Sequence, residues 1–454
     1  MNDIGIIGLG VMGYSIAVNM LNHGFKVAGY NRTAQTTTKL QDKGYPGFTG
    51  YYSIVDFIQS LDKPRRIFLM ISAGSAVDEM INHLTPYLEK GDIVMDGGNS
   101  YFRDSERRSL ELADLGIYFY AVGVSGGEKG ALNGPSIMPS GDQVVYPYVG
   151  AILEKIAAQK DGEACCRYIG KLGAGHYVKM VHNGIEYADM QLIAESVLMM
   201  QASGLSNETI ASELKTWNEG LIKSYLLDIT GKIMQEKEND HYLVDQIEDI
   251  SSNKGTGKWT AIEALQQDVN VSLINSAFIA RLMSNQSQLR QQYHMKGQRD
   301  VKFDLAQLRR AYTLGKLTAY AQGFSLYHDA SKRYGYDLDL AGIASIFRAG
   351  CIIQSALLDD IKAIFEAEPE LSNLLLSSKF QTLIKAGLDD LRQVSASATL
   401  AGLPTPLFQA TTTYLNQVTA AHLGANIIQA QRDFFGAHTF HRIDQEGVFH
   451  HEWE

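Results

Sequence analysis

The stretch IGIIGLGVMGYSIAVNML, residues 4–21, decides the first half of the fold. An apolar run, IGII, gives way to G-x-G-x-x-G at Gly8–Gly13, and SIAVNML follows with helical periodicity. Strand, glycine turn and helix in that order open a dinucleotide-binding unit. Gly8 permits the tight turn, Gly10 lets the backbone approach a pyrophosphate, and Gly13 allows close helix–strand packing. The helix N-terminus then favours the anion. Leu9, Val11 and Met12 complete the loop.

The next strand, KVAGY, runs into Asn31-Arg32-Thr33. An NAD site usually places an acid there to accept from the ribose 2′-hydroxyl. Here an arginine stands between two small polar residues, and a guanidinium can grip a 2′-phosphate with two hydrogen bonds. NADP is therefore expected ahead of NAD. RIFLM, DIVMDGG and FYAVGV read as further strands, with amphipathic stretches such as SIAVNMLNHG and AVDEMINHLTPYL between them. That alternation predicts a Rossmann-like α/β domain, doubly wound and mostly parallel, over residues 1–173. The loops Ile71-Ser72-Ala73 and Gly97-Gly98-Asn99 follow strands and are expected to border the cofactor.

The chain is 454 residues long, too long for one ordinary core. Its formal charge of −10 argues against general nucleic-acid binding but leaves room for a local basic pocket. No apolar run reaches the length of about 18 residues that a membrane span needs. MNDIGIIGLG lacks a basic n-region and reads as the first strand rather than a signal peptide. Cys165, Cys166 and Cys351 read as reduced thiols of a cytoplasmic protein. From about residue 174 strand signals fade, and helical periods predict a large all-α domain over 174–430. Residues 431–454, aromatic and His-rich, read as an extended tail that needs something to pack on.

One helical segment inverts the usual polarity. In GHYVKMVHNGIEYADMQLI, residues 175–193, Lys179, His182, Asn183, Glu186 and Tyr187 fall at i, i+3, i+4, i+7 and i+8. That is the spacing of a buried apolar stripe. Lys179 and Glu186 stand about 10.5 Å apart along one face. Met180, Val181, Ile185 and Met190 are expected to pack inward on the other.

Several longer motifs occur in order: DGGNS (96–100), GVSGGEKGALNGPSIMPSG (123–141), GAGHYVKMVHNGIEYADMQLIAE (173–195), NKGTGKWT (253–260), YAQGF (320–324), IFRAGCII (346–353) and QAQRDFFGAHTF (429–440). With them the chain closely resembles the decarboxylating 6-phosphogluconate dehydrogenase family over nearly its whole length. The resemblance implies oxidation of 6-phosphogluconate by NADP to ribulose 5-phosphate and CO2, a step of the pentose phosphate pathway, without a metal. It implies Lys179 as base and Glu186 as acid. Asn99, Ser125, Gly126, Gly127, His182, Asn183 and Tyr187 would hold the sugar acid, with Asn99 also touching the nicotinamide. Lys254, Thr256 and Arg281 would hold the phosphate. Arg432 and His438 would reach the substrate of a second subunit, giving a homodimer with shared active sites and no nucleic-acid or membrane partner.

The chain departs from the family pattern at a few positions. Gly10 replaces a common alanine, Ser72 a common lysine, Lys129 a glutamate and Ala188 a glycine. Losing the lysine removes a positive charge beside the cofactor. Two alternatives remain at this stage. A non-decarboxylating 3-hydroxyacid dehydrogenase shares the glycine loop and lysine but lacks the long helical part and the tail. A silent dinucleotide-binding protein would be expected to lose Lys179 or Glu186.

Overall fold

The computed structural model describes residues 1–252, 255–293 and 301–453. Its large sheet comprises β1 (Ile4–Ile7), β2 (Val27–Tyr30), β3 (Phe48–Tyr51), β4 (Arg66–Leu69), β5 (Ile93–Asp96), β6 (Tyr118–Ser125) and β7 (Ser136–Ser140). The spatial order is β3-β2-β1-β4-β5-β6-β7. Neighbours are parallel except β6 and β7, which are antiparallel. The chain winds outward from β1 to β3, then restarts on β1's other side with β4. Such a reversal opens a crevice at the carboxyl ends of β1 and β4.

Alternation along the strands explains why both faces are covered. Ile6 and Phe68 enter one core with Ile16, Ala17 and Met20 of the Val11–Asn22 helix. Their neighbours Ile7, Ile67 and Leu69 enter the opposite core with Phe57, Val77 and Ile81. Successive strand residues point to opposite faces, so nearly unbroken apolar runs are what a two-sided parallel sheet demands.

β3 and β7 are strands that the sequence pattern did not reveal. FTGY has no apolar run, and its pairing to β2 supplies the order. SIMPS carries Pro139, which suits a sheet edge because proline brings no N–H to the ladder.

The helical part is organised by one helix, Ala174–Ala202, hereafter the central helix. It lies against β6 and β7 with almost no side chain between. A Cβ on Gly175 would fall 2.1 Å from the Met138 carbonyl oxygen. The Gly175 N–H donates to Ser140 Oγ at 2.7 Å. Across it runs the Leu305–Tyr334 helix, started by Asp304, whose carboxylate caps the Gln307 N–H, and ended by Gly335 at φ +63°. Tyr327 donates to the Val178 carbonyl at 2.9 Å. Lys316 meets Asp189 of the central helix at 2.5 Å with both side chains fully buried, and Tyr312 donates to the same carboxylate at 2.7 Å. A last helix, Ala425–Gly436, runs across residue 430 into the tail, where Phe440 and Phe449 exchange backbone hydrogen bonds. No helix among the described residues is long and apolar enough to cross a membrane.

A charge buried without its partner costs more than the intact pair gains. Lys316→Met alone is therefore expected to destabilise the protein by about 3–5 kcal/mol in urea denaturation. Adding Asp189→Asn, which still offers Tyr312 an acceptor, should recover much of that loss. A double variant no more stable than Lys316→Met would show that apolar packing cannot replace the pair.

Candidate active site

The glycine loop follows β1 and turns into the Val11–Asn22 helix. Gly8 takes φ +95°, and a Cβ there would lie 2.4 Å from the Met70 carbonyl oxygen. A Cβ on Gly13 would fall 1.8 Å from the Gly8 carbonyl oxygen, so only glycine lets this helix start where it does. Gly10 differs: a Cβ there meets nothing within 4 Å. The loop therefore faces open space at Gly10, as a dinucleotide site requires. The Leu9 N–H donates to Asn31 Oδ1 at 3.0 Å, tying the end of β1 to the end of β2. Asn31 in turn donates to the Thr33 carbonyl, and Arg32 between them is exposed. Val11 is exposed and Met12 half-buried.

Two more loops follow β4 and β5 at the crevice. Ile71 lies beside Gly8, and Ser72 and Ala73 are exposed at its rim. Asn99 is exposed on a turn that Asp96 builds: its carboxylate accepts from the Gly98 N–H at 3.0 Å and from the Ser100 hydroxyl at 2.6 Å. Arg108 sits 3.5 Å from that carboxylate, both buried. His176, at the start of the central helix, bonds the Asp96 carbonyl through Nε2 and Ser105 through Nδ1. Asp96, Arg108 and His176 escaped the sequence analysis. An acid preceding Gly-Gly was a readable signal for Asp96. Nothing local marked the other two, because their partners are distant in sequence.

The polar stripe enters between the halves. A Cβ on Gly123 of β6 would come 2.7 Å from Lys179 Cβ, so the strand's bare backbone is what seats the lysine. Lys179, His182, Asn183 and Tyr187 are buried, and Glu186 is half-buried. His182 Nδ1 is 3.4 Å from Lys179 Nζ, 3.2 Å from Asn183 Oδ1 and 3.8 Å from Glu186 Oε2; its Nε2 is 3.2 Å from Ser125 Oγ. Asn183 and Glu186 both offer Nδ1 an oxygen, which favours Nδ1–H as the donor, with Nε2 accepting from Ser125. Phe347 packs edge-on against the ring at 5.1 Å.

Burial lowers the Lys179 pKa below the ordinary lysine value, although Glu186 and the Cys351 thiol pull the other way. Burial also drives His182 well below its usual range, and the Lys179 charge adds to this. His182 is thus a neutral hydrogen-bonding group, and Lys179 is the member of the stripe brought toward its free-amine form. Desolvation penalises the charged state of both groups, which is the physical cause.

Of the other expected residues, Ser125, Gly126 and Gly127 close the end of β6, the glycines at φ +115° and +61°. Thr256 is buried at the start of the Thr256–Gln266 helix, where Gly257 packs against the Tyr187 ring. Arg281 lies over the same ring, 3.4 Å from its centroid. Lys254 lies outside the described residues. Arg432 and His438 are not brought to this stripe within one chain: Arg432 bonds Gln429 of its own helix, and His438 meets Phe435 edge-on. Met190 is a correction. It is 41% exposed rather than packed inward, because it continues the stripe at i+4 from Glu186, and its sulfur receives Arg281.

Residues 3–170 match the family described as the NAD binding domain of 6-phosphogluconate dehydrogenase, and residues 175–453 match its C-terminal domain. The chain is 46% identical over 463 residues to a Bacillus subtilis "6-phosphogluconate dehydrogenase, NADP(+)-dependent, decarboxylating", covering 99% of each. It is 45% identical to the "NAD(+)-dependent, decarboxylating" protein of the same organism, covering 100% and 99%. Among solved structures it superposes on Plasmodium falciparum 6-phosphogluconate dehydrogenase with a TM-score of 0.93 and 39% identity, covering 99% and 100%.

The two glycines of the loop should part company on mutation. Gly13→Ala is expected to lower the Tm by several degrees because its Cβ meets the Gly8 carbonyl. Gly10→Ala should leave the Tm unchanged. Differential scanning calorimetry of the two variants tests this, and equal losses would contradict it.

Proposed function

The chain belongs to the 6-phosphogluconate dehydrogenase family, and from that premise we propose that it oxidises and decarboxylates 6-phosphogluconate to ribulose 5-phosphate and CO2 with NADP as acceptor. The observation that carries this is the stripe itself: a buried lysine of lowered pKa and a glutamate on one face of the central helix. The proposed units are 1–173 for the dinucleotide, 174–430 for substrate and dimerisation, and 431–454 as an arm reaching a second copy.

NADP, when bound, supplies the hydride acceptor at the mouth of the β1–β4 crevice. Gly8–Gly13 would hold its pyrophosphate, Arg32 its 2′-phosphate, and Ile71–Ala73 and Asn99 its nicotinamide side. The two Bacillus relatives differ in cofactor at nearly equal identity, so likeness alone does not choose. The exposed Arg32, with no acid at 31–33, favours NADP.

Lys179 as free amine takes the C3 hydroxyl proton while C3 gives up its hydride. As ammonium it then hydrogen-bonds the new C3 carbonyl oxygen. The electron pair of the bond to the carboxyl carbon flows toward that oxygen, CO2 departs, and the oxygen takes the proton from Lys179. The enediol left behind needs a proton on the carbon that lost the carboxylate. Glu186 delivers it while Lys179, again a free amine, takes back the hydroxyl proton, so that the C3 oxygen ends as the ketone of ribulose 5-phosphate. His182, Asn183 and Ser125 orient hydroxyls between the two. Thr256, Arg281, Lys254 and a second copy's arm would bind the phosphate.

The test is to mix the protein with 6-phosphogluconate and NADP or NAD and follow reduced nicotinamide together with CO2. Failure to form both with either cofactor overturns the proposal. Lys179→Ala should lower kcat by roughly 10²–10⁴-fold with cofactor binding retained. Because the lysine acts as a base only when neutral, kcat/KM should rise with pH through its pKa. Burial should bring that limb to lower pH than an ordinary lysine allows. Arg32→Ala should raise KM for NADP by about 10- to 100-fold and spare NAD.

A further inference from the structure

The tail is exposed or half-buried throughout, with one exception. Asp433 is 0% exposed, although it sits between exposed Arg432 and Phe434. Its carboxylate accepts from the Thr439 N–H at 2.9 Å and His450 Nδ1 at 2.9 Å through one oxygen. The other oxygen accepts from the His451 N–H at 3.0 Å and Trp453 Nε1 at 2.9 Å. Burial alone would raise this carboxyl's pKa, but these donors hold it well below the usual range. An ionised acid is therefore the hub of the arm.

The hub is linked to both residues proposed to reach a second copy. Thr439, held at its N–H by Asp433, accepts at its carbonyl from Gln429 Nε2 at 2.6 Å. Gln429 accepts in turn from Arg432 Nη1 at 3.2 Å. The ring of contacts thus runs Asp433, Thr439, Gln429, Arg432. It encloses a turn in which Ala437 and Thr439 take φ +49° and +59°. Left-handed backbone is uncommon for residues with a Cβ, and for a β-branched one it persists only where surroundings enforce it. His438 lies between these two residues, its ring folded over Gly436.

We propose that Asp433, with Gln429, is a positioning residue: it locks the strained turn so that Arg432 and His438 are presented together to the substrate held by a second copy of this chain. The inference rests on the arm assignment made under the proposed function and adds which residues shape the arm. Asp433→Asn is nearly isosteric, yet its amide must face two of the four donors. Gln429→Ala removes the other half of the ring without touching the hub.

The experiment is steady-state kinetics of Asp433→Asn, Gln429→Ala and Arg432→Ala as full-length proteins, with dimer content measured by sedimentation. Arg432→Ala should raise KM for 6-phosphogluconate by about tenfold or more, as loss of a charged contact does. Asp433→Asn and Gln429→Ala should raise the same KM at least several-fold, leave KM for NADP within about twofold, and keep the dimer. If Arg432→Ala raises KM but dimeric Gln429→Ala and Asp433→Asn do not, the positioning role is overturned and the arm assignment stands. If none of the three moves KM, the arm assignment itself falls. If Asp433→Asn does not assemble, Gln429→Ala alone decides: an unchanged KM overturns the proposal.

Discussion

The rest of the structure depends on the contact of the central helix with the bare backbone of β6 and β7. A Cβ on Gly175 would lie 2.1 Å from the Met138 carbonyl oxygen and 2.5 Å from that of Ala121, too close for any side chain, and Gly123 leaves the matching space opposite Lys179. This contact fixes the helix in depth and in rotation. Depth places Lys179 at the sheet rather than in solvent. Rotation sends Met180, Val181 and Ile185 into the helical core while Lys179, His182, Asn183 and Glu186 share one face. A 29-residue helix is about 43 Å long, so one element can serve the crevice at its start and the far core at its end.

Two buried lysines meet this environment in opposite ways. Lys316 is gripped by Asp189 and flanked by Tyr312 and Tyr320, so its charge is matched at contact distance. Lys179 has the His182 ring at 3.4 Å, and burial outweighs the opposing pull of Glu186 and Cys351. The first arrangement fixes structure. The second makes a proton easy to remove and easy to return, which is what an acid–base group needs.

The glycine loop and the polar stripe were legible because each is local. Spacing within six residues, or within three helical turns, carries the information. Pairing is not local, and that is where the sequence was silent. β3 has no apolar run to announce it, and β7 hides behind Pro139 at the sheet edge. Asp96 and His176 act across 80 residues through a backbone carbonyl. Met190 followed the stripe's geometry against its apolar character, because Arg281 gave its sulfur a place at the rim. Asp433 carries no local signal in the sequence, and only the fold of the tail shows it as a hub.

Charge accounts for why such an arm would matter. The chain carries a formal −10, so long-range attraction cannot gather a substrate bearing both carboxylate and phosphate. Local cations must do so. Within the described part of one chain, Lys179 is most useful when neutral, and Arg281 lies stacked on Tyr187 beside Glu186, where burial lowers its pKa. In the proposed assembly a second copy brings an arginine and a histidine on a preformed turn. The ordering cost of that turn is met within the arm before the copies meet, so less of the binding free energy is lost on association. Phe435, Ile443 and Val448, each more than half exposed, supply the apolar surface that such an encounter would cover.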